Sequence, residues 1–388
     1  MNNGIKIRQA RFLKGIYIIG IYIIVAALLF ISGCSSKPTA DKLSMTLKSN
    51  FNMLPEKPQF VLYFNFKSMK SSEFWKSNIS DSLINSERTF GTILNIFKDA
   101  TGATMSDGLD EMYFANSWTG ENAIILKGIF DKNKLFNYTN KFFGKDSSYN
   151  KSVNPDGTIV FTHLQSGLLF FLKDNFTICA SNYPKQIELM REARDTTTGG
   201  LLNNVEMLKA IDAITYKEYF WLVTTEKTFI GGIFENFLNM NPGSEKLLKE
   251  IPPENAKVDS LMNPKISSSE QDTQRTFSDK TENILANRIQ YMVNSFSLSG
   301  RMKTGLEIII QFECKDDESA LYFSNLFNGM IALAKLSSAI KSENWTIDTA
   351  TATMLNNLKI STYDNSSRIN INITQYNIES FRKFSIKK

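Results

Sequence analysis

Runs of alternating apolar and polar residues constrain the fold of this chain more than any other feature of its sequence. Alternation predicts β-strands with one buried face. The segment Gln59–Phe66 is an example, because every second residue from Phe60 onward is large and apolar. Apolar residues at helical spacing are clearest over 320–336. Hairpins outnumber crossover connections between the predicted strands, so the sequence predicts an α+β protein with mainly antiparallel sheets and packed helices.

The predicted order of elements occurs twice along the chain. A strand, a helix, a hairpin, a helix, further strands and a last helix fill 58–195, and the same order returns over 216–388. The runs Ile124–Phe130 and Glu307–Phe312 look alike, and each leads into a helix. We interpret this order as an internal duplication that yields two similar lobes, joined by a helical connector over 196–215. Residue identity between the halves is low, so a chance likeness of order is the alternative.

A polar insertion over 252–281 interrupts the second predicted lobe. It is rich in Pro, Ser, Asn, Asp and Lys and has few large apolar residues. A polar stretch of this length is either a functional flap or a disordered segment, and its composition favours disorder.

The N-terminus has the features of an export signal. Four basic residues and no acidic residue come before the apolar run Gly15–Ile31, and small residues follow it. This pattern predicts a signal peptide over 1–33. The alternative is an uncleaved membrane anchor, although the run falls short of the roughly 20 apolar residues that a spanning helix needs. In both cases the positive flank stays in the cytoplasm and the rest of the chain is extracytoplasmic.

Four residues close the apolar run: Ile31, Ser32, Gly33 and Cys34. This stretch resembles the lipobox of bacterial lipoproteins. The resemblance implies that the thiol of Cys34 receives a diacylglycerol and that a signal peptidase cuts before it. The body would then be held at a membrane of the cell envelope by lipid on Cys34, with 34–57 as a tether. Ser35 follows, where enterobacterial lipoproteins of the inner membrane have aspartate, so the resemblance favours the outer membrane.

Charge and cysteine content exclude two classes of function. Removing residues 1–33, with four basic and no acidic residues, lowers the net charge from +5 to +1, which gives no basis for nucleic-acid binding. Cys179 and Cys314 lie in apolar strand-like runs, where two buried free thiols are favoured over a disulfide. With one histidine and no CxxC pair, no zinc site is predicted.

No catalytic, cofactor-binding or metal-binding motif is present in the sequence. His163 is the only histidine, and we interpret it as an ordinary hairpin residue rather than a general base. Asp107 with Asp110 indicates a turn, and Asp316–Glu318 indicates a helix N-terminus. Neither pattern needs catalysis to explain it.

Trp118 is the aromatic residue most suited to contact a partner. It lies at the predicted tip of a hairpin, between Ser117 and Thr119, although packing in the core is the alternative. Two hypotheses follow for the whole chain. The preferred one is a non-enzymatic binding or scaffolding module whose ligand is an envelope protein, a peptide, a glycan or a lipid. The alternative is a hydrolase of envelope polymers that uses an unrecognised pair of carboxylates.

Overall fold

The computed structural model describes residues 39–79, 90–104, 107–117, 120–142, 149–194, 199–239, 291–339, 354 and 356–385. The predicted signal peptide, the lipobox, Trp118 and the insertion 252–281 lie outside these ranges.

Within the described ranges, twelve strands form a single sheet in which all neighbouring strands are antiparallel. The strands are β1 Phe60–Asn65, β2 Leu109–Asn116, β3 Asn122–Gly128, β4 Tyr149–Val153, β5 Ile159–His163, β6 Leu168–Asp174, β7 Thr177–Ser181, β8 Phe220–Thr224, β9 Val293–Met302, β10 Leu306–Cys314, β11 Lys359–Tyr363 and β12 Ser366–Ile373.

Helices accompany the sheet on both faces, so the protein is α+β as predicted. They are α1 Met45–Phe51, α2 Phe66–Ser71, α3 Glu73–Asn78, α4 Phe90–Thr101, α5 Lys132–Phe142, α6 Pro184–Glu192, α7 Val205–Asp212, α8 Lys227–Asn239, α9 Asp317–Ala339 and α10 Gln375–Ser385, with a 3₁₀ turn at Gly200–Asn203 before α7. The 3₁₀ turn and α7 occupy the predicted connector, 196–215.

The order of strands is the same in both halves when it is followed outward from the middle of the sheet. It runs β1-β2-β3-β7-β6 on one side and β8-β9-β10-β12-β11 on the other, with β5 and β4 added beyond β6. Strand β1 pairs with β8, so the halves share one continuous sheet through backbone hydrogen bonds. This order agrees with a duplication, but common descent of the two halves and the boundaries of the lobes stay predictions.

Regular structure begins earlier in the chain than the sequence predicted. Helix α1 lies inside the segment expected to be a tether, 34–57, and the side chain of Ser44 caps it by accepting from the backbone N–H of Leu47 at 3.1 Å. Phe51 and Leu54 are fully buried in the core beside it. The segment expected to be a tether therefore contains regular structure before residue 58. The helix has only seven residues, too few for a helical period to be recognised.

Side-chain capping contacts mark the starts of α3 and α5. The Oγ of Ser72 accepts a hydrogen bond from the backbone N–H of Trp75 at 3.1 Å, at the start of α3. Asp131 Oδ1 accepts from the N–H groups of Asn133 and Lys134 at 2.9 and 3.1 Å, at the start of α5. The polar strand β4 was not predicted, because it lacks a row of large apolar residues.

The two faces of the sheet are covered differently. Because successive side chains of a strand point to opposite faces, β1 places Val61 and Tyr63 on one face, here called face 1, and Leu62 and Phe64 on the other, face 2. Face 2 is largely apolar in both halves, and it is packed by α2, α3, α4 and α5 in the first half and by α8 and α9 in the second. Face 1 packs against α1, α6 and α7, and this core covers only the first half and β8.

Candidate functional site

The site residues predicted from sequence do not come together in the described structure. Cys34, the rest of the lipobox and Trp118 lie outside it. Cys179 and Cys314 are free and buried, as predicted, and burial raises the pKa of each thiol to about 12. They lie in β7 and β10, six steps apart in the sheet order. At about 4.8 Å per step the separation is roughly 29 Å, far beyond the reach of a disulfide.

His163 is a half-buried residue at the end of β5, where a hairpin turn begins, in agreement with its interpretation as an ordinary hairpin residue. Its Nδ1 lies 2.7 Å from Ser166 Oγ, and its ring centroid lies 4.9 Å from that of Tyr149. Among the described residues, no group of three or more His, Cys, Asp and Glu side chains is arranged to hold a metal ion.

Among the described residues, two carboxyl groups have a shifted pKa, those of Asp156 and Asp316, and both pKa values are lowered. Backbone and side-chain hydrogen bonds hold the pKa of Asp156 at about 2. Hydrogen bonds from Ser319 at the start of α9 lower the pKa of Asp316. A general acid of a glycosidase needs the opposite shift, a raised pKa. Neither group suits that role.

The distinctive region of the structure is the part of face 1 that continues beyond β8. Val61 in β1 pairs with Val223 in β8, but Val223 pairs with Ser297 in β9. Ser297 pairs with Gln311 in β10, which in turn pairs with Arg368 in β12. One row of side chains thus changes from apolar to polar between two adjacent strands. We call this region the polar half of face 1; its polar members are Ser295, Ser297, Ser299, Arg301, Glu307, Gln311, Glu313, Lys359, Ser361, Ser366, Arg368, Asn370 and Asn372, and Ile309 and Tyr363 lie on the same face.

At one end of the polar half, charged groups are paired. Arg301 donates from Nη2 and Nε to Glu307 Oε2 at 2.7 and 3.0 Å, and the Tyr216 hydroxyl donates to the same oxygen at 3.0 Å. The guanidinium of Arg301 also lies over the ring of Tyr216, 4.6 Å from its centroid. This end is a satisfied ion pair that fastens the loop before β8 to the sheet.

The middle of the polar half is also hydrogen-bonded. Thr215 Oγ1 donates to Gln311 Oε1 at 3.2 Å, and Gln311 Nε2 donates to the carbonyl oxygen of Ala213 at 3.0 Å. Gln311 Nε2 also donates to Glu313 Oε1 at 2.5 Å. Gln311 therefore joins the segment after α7 to β10 and engages the carboxylate of Glu313.

Arg368 is different from the other charged members of this face. Its residue surface is only 1 % exposed, yet Nε, Nη1 and Nη2 all lack a hydrogen-bond partner among the described residues. Its guanidinium lies 5.6 Å from the centroid of the Tyr363 ring, and burial lowers its pKa. Two residues further along the same face, the buried hydroxyl of Ser366 is also without a partner. A buried guanidinium with no partner is costly, since it has given up its hydration without compensation.

Arg368 is not among the site residues predicted from the sequence. The strand Ser366–Ile373 alternates Ser366, Arg368 and Asn370 with apolar or small residues, a pattern typical of a strand with one side in water. The same reading applies to the serines of β9. What separates this site from a solvated face is burial, which depends on the rest of the fold. The available signal was the arginine inside an otherwise uncharged strand.

Comparisons with known proteins find few similarities to this chain. No family model matches the sequence, and no curated protein matches it. Among solved structures, crystal form I of TP0453 is 11% identical, with a TM-score of 0.43 over 89% of this chain and 96% of that chain. Crystal form III of TP0453 is 10% identical, with a TM-score of 0.42 over 85% and 96% of the two chains. Similarity at this level carries no information on function.

None of the helices within the described residues combines the length and the hydropathy needed to cross a bilayer.

Proposed function

We propose that this chain is a lipid-anchored protein of the cell envelope whose body is an extracytoplasmic, non-enzymatic binding module. The anchor is the diacylglycerol on Cys34, which the lipobox-like stretch supports. Ser35 favours the outer membrane over the inner one by the same resemblance.

The observation that carries a binding role is the polar half of face 1. It contains a buried arginine with no partner among the described residues, although the charged pair nearest the loop before β8 is satisfied. Proteins rarely keep a buried cation unpaired without a functional reason, since its cost exceeds that of most other single features. A binding module whose ligand pairs with this guanidinium accounts for the arrangement. Trp118 is kept as a candidate aromatic contact for the same partner.

The start of the body supports an anchored arrangement. The backbone N–H of Asp41 donates to the carbonyl oxygen of Thr215 at 3.3 Å, and Asp41 Oδ2 accepts from the N–H of Lys217 at 3.0 Å. The buried ammonium of Lys217 donates to the carbonyl oxygens of Asp41, Asp212 and Ile214. The chain is thus fastened to the body soon after Cys34 in sequence, beside the border of the polar half.

Metabolic labelling with a fatty acid tests the anchor. We expect Cys34→Ala to abolish labelling and to leave the longer, unprocessed precursor. Cys179→Ala is the matched control, because it removes a buried thiol and should leave labelling and processing unchanged. Labelled Cys34→Ala protein would overturn the lipoprotein proposal. Separation of the two membranes of the cell then tests the preference for the outer membrane.

A further inference from the structure

We propose that Arg368 is the anchor of a binding site for an oxyanion, the phosphate or carboxylate group of a ligand, on the polar half of face 1. The inference deepens the proposed function and rests on the body being a binding module. It does not depend on the lipid anchor.

The first argument is the unmet hydrogen-bonding capacity of the guanidinium. Arginine has five N–H donors in a planar fork and stays protonated in proteins, so it cannot escape its desolvation by losing a proton. All three nitrogens of Arg368 lack partners among the described residues, and the side chain is almost fully buried. The group that best compensates such a fork is an oxyanion that accepts two parallel hydrogen bonds.

The second argument is the chemistry around the guanidinium. The unpartnered hydroxyl of Ser366 adds a donor on the same face, two residues along β12. Ser361 lies directly opposite Arg368 in β11, and Tyr363 lies opposite Ser366. The ring of Tyr363 is within cation–π distance of the guanidinium and limits its orientation. Donors fixed in this way suit a ligand that supplies only acceptors.

Glu313 is the competing partner, because it pairs with Ser366 across the ladder and lies diagonally from Arg368. In the structure its carboxylate accepts from Gln311 Nε2 and makes no hydrogen bond to Arg368. Two arrangements can therefore be separated by experiment. If the carboxylate of Glu313 neutralises Arg368, removing that carboxylate destabilises the protein. If Arg368 instead binds an external anion, removing the negative charge of Glu313 strengthens anion binding.

Thermal unfolding of the purified full chain in non-ionic detergent tests the site, with inorganic phosphate as the probe and chloride holding the ionic strength constant. A ligand that binds only the folded state raises Tm with its concentration. We expect phosphate to raise Tm of the native protein and to have no such effect on Arg368→Gln. Arg191→Gln is the control, because it removes a partly exposed positive charge elsewhere and should keep the full phosphate effect. Far-UV circular dichroism confirms that each variant is folded.

A second variant keeps the proposal falsifiable if Arg368→Gln fails to fold. Glu313→Gln should enlarge the Tm shift produced by phosphate by removing repulsion. An unchanged phosphate effect together with a lower Tm in Glu313→Gln would overturn the proposal in favour of an internal ion pair. Phosphate effects that are absent from the native protein, or equal in native protein and Arg368→Gln, would overturn it as well.

The source of the oxyanion is distinguished with three probes in the same assay. A larger shift with acetate than with phosphate identifies a carboxylate ligand. A larger shift with soluble dihexanoyl phosphatidylglycerol than with phosphate identifies a phospholipid headgroup, whereas equal shifts identify a small soluble phosphate. These readings are independent of fatty-acid labelling at Cys34, so failure of the anion site and failure of the anchor give separate results.

Discussion

The two halves of face 1 belong to the same sheet but differ in chemistry: one half packs an apolar core, and the other buries polar and charged groups. In the apolar half of face 1, which comprises the first half of the sheet and β8, Tyr63 and Trp221 pair across β1 and β8 with ring centroids 5.4 Å apart, and helices α6 and α7 cover them. One strand further, Trp221 pairs with Ser299 and the apolar core of face 1 ends. The change takes place within a single step of about 4.8 Å along the sheet.

This difference separates stability from recognition. Buried apolar surface stabilises the fold in proportion to the area removed from water. A buried, unpaired guanidinium subtracts from that stability. Face 2 is largely apolar, so it supports the polar half from the opposite side through α9, whose Phe323 and Phe327 pack against Phe312 of β10. We infer that the fold tolerates the unfavourable burial of Arg368 in the polar half because the packing of face 2 holds the same strands in place.

The largest effect is expected from breaking the apolar half. Trp221 is fully buried, and Trp221→Ala should lower the free energy of unfolding by about 3–5 kcal/mol, because it leaves a large cavity beside Tyr63. Urea unfolding followed by circular dichroism measures this loss. The control is Ser297→Ala on the next strand and the same face, which should change stability by less than about 1 kcal/mol. Equal losses in the two variants would contradict the division of face 1.

Arg368→Met should act in the opposite direction. Replacing a buried, uncompensated charge with an apolar side chain of similar length removes a desolvation cost, and we expect a gain of roughly 1–4 kcal/mol without ligand. The same urea experiment measures it. Arg301→Met is the comparison, because it breaks the pair with Glu307 and should lower stability. A large loss in Arg368→Met would mean that the guanidinium already has a compensating partner in the folded protein.

The strands and helices of this fold could be predicted from the sequence better than the site on face 1. Alternation located β1, and apolar residues at helical spacing over 320–336 located α9. The pairing of β1 with β8 could not be predicted, because it joins segments far apart in the chain. The burial of Arg368 could not be predicted either, since a strand with polar residues on one side normally faces water. The site depends on long-range packing that local patterns do not encode.

A smaller loss is expected at the border between the two halves. Lys217 is 3% exposed, and its ammonium donates to three backbone carbonyl oxygens. Lys217→Met leaves these acceptors unpaired and should cost about 1–3 kcal/mol. Burial lowers the pKa of Lys217, so the unfolded chain binds more protons as pH approaches 10.5. Stability from this group therefore rises with pH up to that value, and the rise should be absent from Lys217→Met in unfolding experiments at alkaline pH.

The smallest effect is expected at a solvent-accessible ion pair in the first half. This pair shows how much a charge contributes to stability when water surrounds it. Arg191 Nη1 lies 2.6 Å from Asp156 Oδ2, and the pKa of Asp156 is held at about 2, below its ordinary value of 3.8. Because the folded-state pKa is lowered, the contribution of Asp156 is present above pH 3.8 and is lost as pH falls toward 2.

Asp156→Asn should remove that acid dependence while changing stability little at neutral pH, and added salt should weaken the native contribution because solvent screens an exposed pair. Acid unfolding of the two proteins at low and high salt measures both effects. Arg368 provides the contrast, since a buried charge is screened much less and the gain in Arg368→Met should persist at high salt. If salt abolished that gain as well, the guanidinium of Arg368 would be in contact with water, and its difference from the exposed pair would disappear.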